Sequence, residues 1–157
     1  MRRRSLPALA ASLAGPVLAP PSCASRPMPT RLALRVSASD DVNPDGAGMP
    51  KPIRVRILQL AGIAALSRAS FFALDADPAK VLGTDLLASE DVLLGPGQAV
   101  TLEQEAKPGT LYLGVVGAFF AIESARWQAW APVRPGARNA YVARLGTAAA
   151  AITKGET

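Results

Sequence analysis

A chain of 157 residues with 50% hydrophobic and 18% charged side chains has material for one domain with a real core, and it is too apolar to be disordered. Its formal charge of +5 includes Arg2, Arg3 and Arg4; without these three, the 17 basic side chains become 14 against 12 acidic, a net +2, and the compositional case for nucleic-acid binding goes with them. There is no histidine, which removes the commonest general base, the usual serine and cysteine triads and the commonest metal ligand, and the single cysteine, Cys23, allows neither an internal disulfide nor a zinc cluster.

The N-terminus reads as an export signal. Arg2 to Arg4 form a positive start, and the apolar run Leu6–Ala19 has the length of a signal core. That run is too short to span a bilayer, and Pro7, Pro16, Pro20 and Pro21 break it as a packed helix. Cys23 then has two readings. It is the lipidated residue of a lipobox, with Ser22 as the small residue before it and Pro20 and Pro21 as poor fits. Alternatively Ser22-Cys23-Ala24 is a small-x-small cleavage site, and the thiol leaves with the signal. The predicted organisation is a signal over 1–23, a tether over 24–29 and a β-sandwich domain over 30–153.

The mature chain is dominated by strand patterns. Leu32, Leu34 and Val36 alternate with Arg31 and Arg35, and Ile53, Val55 and Ile57 alternate with Arg54 and Arg56, so both segments are half-buried strands. Between them lies a proline- and glycine-rich loop, Asp40–Pro52, with the length and composition of a recognition loop. Residues 63–82 change character: alanine-rich spacing predicts short helical turns packed by Phe71, Phe72 and Leu74, then a second piece opened by Asp77-Pro78 and stopped by Gly83.

Strand signals then resume. Asp91–Leu94 and Ala99–Glu103 flank Gly95-Pro-Gly97 and read as a hairpin-like pair. Leu111–Phe120 is apolar throughout, as expected of a central strand covered on both faces, with Gly114 and Gly117 permitting close approach. Ala125–Trp130 is a short strand, and Asn139–Thr147 closes the domain, with Ala148–Ile152 either extending that strand or fraying into helix. The expected fold class is all-β: a two-layer antiparallel sandwich with a short helical insertion.

Catalytic patterns are missing. Asp75, Asp77, Asp85, Glu90 and Asp91 match no calcium loop, and Asp77 suits a helix N-cap. The glycines match no phosphate loop. Trp127, Trp130, Tyr112 and Tyr141 suit either core packing or a sugar-binding platform, so a periplasmic carbohydrate-binding module is the alternative function.

The order of segments resembles the lipoprotein family of the type VI secretion system, TssJ. The resemblance is carried by Asn43-Pro44-Asp45 leading to Pro52, Ile53–Leu60, Phe71–Leu74 with Asp77-Pro78, Leu82–Leu87, Leu94–Gly97, Tyr112–Val116 and Ala125–Trp127. It implies a transthyretin-like sandwich with no cofactor beyond a covalent lipid on Cys23, held at the periplasmic face of the outer membrane. It also implies a non-enzymatic role. The implied partner is the periplasmic C-terminal domain of the IcmF-like inner-membrane component, TssM, contacted by the loop Asn43, Pro44, Asp45, Gly46, Ala47, Gly48 and Met49; neither nucleic acid nor a small-molecule substrate is expected. One departure is local: the family commonly has an Arg-Asp pair where this chain has Phe120-Ala121.

Overall fold

The two alternating segments fold as anticipated, β1 over Arg31–Ala38 and β2 over Ile53–Leu60, and each turns its apolar side into the same core. The structure, a computed structural model, describes residues 27–155; the signal, Cys23 and the start of the tether lie outside the described residues. Six more strands follow: β3 (Leu86–Leu94), β4 (Ala99–Glu105), β5 (Tyr112–Gly117), β6 (Gln128–Pro132), β7 (Arg138–Leu145) and β8 (Ala150–Lys154). They form two four-stranded sheets, ordered β4-β1-β7-β8 and β3-β2-β5-β6. Every pairing is antiparallel except β1 with β7, which is parallel, so the sandwich is antiparallel in the main.

The expected hairpin across Gly95-Pro-Gly97 does not form. β3 pairs with β2 and β4 pairs with β1, so the turn carries the chain from one sheet to the other. A proline–glycine corner looks the same in sequence whether the next strand stays in its sheet or leaves it; the partner is chosen by distant contacts. Ala148–Ile152 neither extends β7 nor forms helix. The chain turns at Gly146, whose N–H donates to Ala149 O, and returns as β8 alongside β7. Arg126 and Ala149 form an isolated bridge that stitches the sheets together along this side.

Between the sheets, Leu32, Leu34 and Val36 meet Ile53, Val55, Ile57, Leu113 and Val115, all at most 2% exposed. Each such side chain contributes roughly 1.5–3 kcal/mol of burial. Gly117 sits where the end of β5 is most crowded. A β-carbon there would lie 2.7 Å from the Phe119 ring and 3.3 Å from Ile53, so only glycine lets the strand close on its neighbours.

A second apolar cluster lies on the outer face of the second sheet. Leu58, Leu60 and Val116 are roofed by Leu66, Leu74 and Leu82 from α1 (Ala64–Arg68), α2 (Phe71–Ala76) and α3 (Pro78–Leu82). The alternation of β2 therefore ends at Ile57, where both faces become covered. β5 is buried on both sides for the same reason. Ser70 caps α2 and Asp77 caps α3, accepting the N–H groups of Ala73 and Lys80. Gly83, at φ 55°, stops α3.

Candidate docking loop and its supports

Connections gather at the two ends of the sandwich. One end, hereafter the distal pole, carries the β1–β2 loop (39–52), the β3–β4 corner (95–98), the β5–β6 loop (118–127) and the β7–β8 turn (146–149). The opposite, proximal pole carries the start of β1 and the β4–β5 and β6–β7 turns.

The β1–β2 loop is built around two polar side chains. Val42 is fully buried and roots the loop in the core. Asn43 follows in the left-handed region at φ 48°, which asparagine tolerates better than most residues. Its side chain, only 7% exposed, turns inward: Nδ2 donates to Pro52 O at 3.0 Å, and Oδ1 accepts the Phe120 N–H at 2.6 Å. Asn43 thus ties the loop's two ends together and binds it to the neighbouring β5–β6 loop.

Asp45 organises the tip. Its carboxylate accepts the N–H groups of Ala47 and Met49 at 2.9 and 3.0 Å and pairs with Lys51 at 3.1 Å. The Met49 N–H and Lys51 hold the carboxyl below its ordinary range. Gly46, Ala47, Gly48 and Met49 form the outer surface of this turn, with Met49 58% exposed. Of the seven loop residues singled out in the sequence, six form the turn or its flank, and Asn43 braces from within.

Two features of this pole lay outside the sequence reading. Phe120, which the resemblance sets against an Arg-Asp pair, is 68% exposed and sits beside the loop through its bond to Asn43. Its signal was the departure itself, an aromatic where the resemblance implies charge. The second is the bracing role of Asn43, whose signal was a residue tolerant of positive φ in a turn-rich loop.

Next to this pole, Arg54 and Arg56 on the outer face of β2 clamp the helices. Arg54 pairs with Asp75 of α2 and with Asp91 of β3. Arg56 bonds Asp91 at 2.8 Å and also donates to Leu74 O. Asp91 is held below the usual carboxylate range, chiefly by its hydrogen bond with Arg56. The acidic cluster is thus accounted for in part by ion pairs and an N-cap. Among the described residues no group of three or more His, Cys, Asp or Glu could hold a metal, and no helix is long and apolar enough to cross a membrane.

The aromatic residues do not assemble into a sugar platform. Tyr141 is buried at 3% exposure in the first sheet with its hydroxyl donating to Pro132 O, Trp127 packs edge-on against Phe71 and Tyr112 against the same helical roof, and Trp130 on β6 is 38% exposed.

A two-sheet sandwich with a braced loop at one end and a helical roof on one face defines a small all-β domain. The chain belongs to the type VI secretion lipoprotein family: the family model described as "Type VI secretion lipoprotein, VasD, EvfM, TssJ" matches residues 30–148. The crystal structure of the T6SS lipoprotein TssJ1 from Pseudomonas aeruginosa is 30% identical over 82% of this chain and 98% of that one, with a TM-score of 0.79. Serratia marcescens Lip, a membrane-bound component of the type VI secretion system, is 26% identical over 80% of this chain and 99% of its own, with a TM-score of 0.73. A chain described under the T6SS protein TssM C-terminal domain from EAEC shares the fold at 22% identity, covering 82% of this chain and 99% of that one, with a TM-score of 0.65. No curated protein matches by sequence. The family is a structural component of the secretion system, with neither enzymatic activity nor a cofactor.

Proposed function

We propose that this protein is an outer-membrane lipoprotein that holds the trans-envelope complex of a type VI secretion system to the outer membrane from its periplasmic side. In this reading Cys23 carries the lipid, residues 24–29 are the tether, and the loop Asn43–Met49 docks the periplasmic C-terminal domain of the IcmF-like component, TssM. The supporting observation is the polarity of the sandwich. The tether leaves one pole, and the braced loop stands at the other, about 26 Å away along the eight residues of β1. An anchor and a docking site so placed can be engaged at once.

The test replaces residues 44–49 by a glycine–serine loop of equal length, leaving Asn43 in place. The expected outcome is loss of co-purification with the TssM periplasmic domain and a melting transition that stays cooperative and shifts only slightly; unaltered affinity would refute the loop's role. Cys23→Ser is expected to move the protein to the soluble periplasmic fraction. Mass spectrometry showing a mature chain that starts unmodified at Ser25 rules the anchor out.

A further inference from the structure

We propose that the proximal pole is itself a membrane-contact surface that lies against anionic phospholipid and sets the orientation of the domain. This rests on the lipid anchor at Cys23.

Covalent reach comes first. Four peptide steps separate Cys23 from Pro27, so the described chain begins at most about 14 Å from the anchoring residue. The chain is then fixed in the fold at Thr30. Its carbonyl accepts the Ala106 N–H at 2.8 Å, its hydroxyl accepts the Gly136 N–H at 2.8 Å, and the Arg31 N–H donates to Ala137 O at 3.0 Å. The β4–β5 and β6–β7 turns are therefore held beside the point where the tether enters. The distal pole is a further strand length away.

The surface chemistry fits a bilayer. Met28 and Leu111 are 72% and 45% exposed, and with Pro29, Pro108 and Pro135 they border one apolar hollow at this pole. The β4–β5 turn (106–111), which lines it, carries Lys107, and the β6–β7 turn (133–137) carries Arg134, with no carboxylate in either, a net of +2; Glu105, at the end of β4, also borders the hollow. The distal connections carry Asp40, Asp41, Asp45 and Glu123 against Lys51 and Arg126, a net of −2. Both poles expose apolar side chains, so apolarity does not choose between them. Sign of charge and tether length do, and both choose the proximal pole. Basic residues near an anionic leaflet are attracted within a Debye length, and exposed apolar side chains can enter the interface. Only the proximal pole brings both features within the tether's reach.

The test uses the full mature lipidated protein in vesicles of phosphatidylethanolamine and phosphatidylglycerol. Single variants Leu111→Cys and Met49→Cys are labelled with a polarity-sensitive fluorophore; the Cys23 sulfur is consumed by the lipid, so only the added thiol reacts. The label at 111 is expected to shift to the blue and to be quenched by headgroup-region nitroxide lipids, whereas the label at 49 remains water-like. Exchanging phosphatidylglycerol for phosphatidylcholine, or combining Lys107→Gln with Arg134→Gln, is expected to reverse the shift; a shift that survives both overturns the anionic assignment. A chain that floats with the vesicles but keeps position 111 in water overturns this surface and leaves the anchor standing. A chain that does not float overturns both. A blue shift present without vesicles and rising with protein concentration assigns the surface to a second copy instead.

Discussion

The two poles of the sandwich are held by the same device turned to different ends. At the distal pole, a buried asparagine, Asn43, reaches from the β1–β2 loop to the backbone of the β5–β6 loop. At the proximal pole, a buried glutamine, Gln59, accepts the Lys107 N–H at 2.7 Å and so holds the β4–β5 turn against β2. The difference lies in where each amide is mounted. Gln59 projects from a strand already fixed by two neighbours, so its turn is anchored to rigid sheet. Asn43 sits within a loop and joins it to another loop. The distal surface is therefore a unit of two connections that stands or falls together, whereas the proximal turns are held to the sheets, by Gln59 of β2 and by Thr30 at the start of β1.

Asn43→Ala should have the larger effect. It leaves the Phe120 N–H unpaired and places alanine at φ 48°, at a combined cost of roughly 2–4 kcal/mol. Chemical denaturation measures that loss. Binding to the TssM domain should fall as well, because both distal loops lose their register. Gln59→Ala should cost about 1–3 kcal/mol from the unpaired Lys107 N–H and leave docking unchanged. If both variants affect docking equally, the contrast between the poles is wrong.

Phe120→Ala sharpens the contrast from the other side. The ring is exposed and its backbone bond to Asn43 survives truncation, so stability should stay within about 0.5 kcal/mol of the parent. If the ring is a contact anchor, docking should weaken by about 1–2 kcal/mol, read by calorimetric titration. Unchanged binding would confine the interface to the tip around Met49.

What the residues revealed in advance follows the same division between local and distant causes. β1 and the first half of β2 were legible because one face meets core and the other water, which stamps a period of two. Leu58 and Leu60 lose that pattern because a helical roof, distant in sequence, covers their outer side. The β3–β4 corner misled for a related reason: Gly95-Pro-Gly97 specifies a bend and is silent on which sheet receives the next strand. In the loop, composition marked residues 43–49 as a surface connection. That Asn43 points inward depends on a backbone N–H 77 positions away.

The smallest effect concerns acid, and it separates the poles by where carboxylates are paired. Asp91 has its pKa lowered from 3.8, first by its hydrogen bond to Arg56, and Asp45 has its pKa lowered by the Met49 N–H and then Lys51. A carboxyl whose folded pKa lies below its unfolded value stabilises the fold fully above the unfolded value and loses that contribution as pH falls through the folded one. Stability should therefore be flat from neutral pH down to about 4.5 and decline below 4. Asp91→Asn should flatten part of that decline and cost well under 1 kcal/mol at neutral pH, since the pair is partly exposed and screened by solvent. Both carboxyls lie toward the distal half: Asp45 in the loop, and Asp91 opposite Arg56, near the end of β3 that turns at Gly95. Hydrogen exchange below pH 4 should accordingly show the distal loops opening before the turn that Gln59 holds, because an amide–amide contact has no proton to gain in that range. Simultaneous opening of both poles would mean that the acid transition reports the whole sandwich and that the distal loops are not a separable unit.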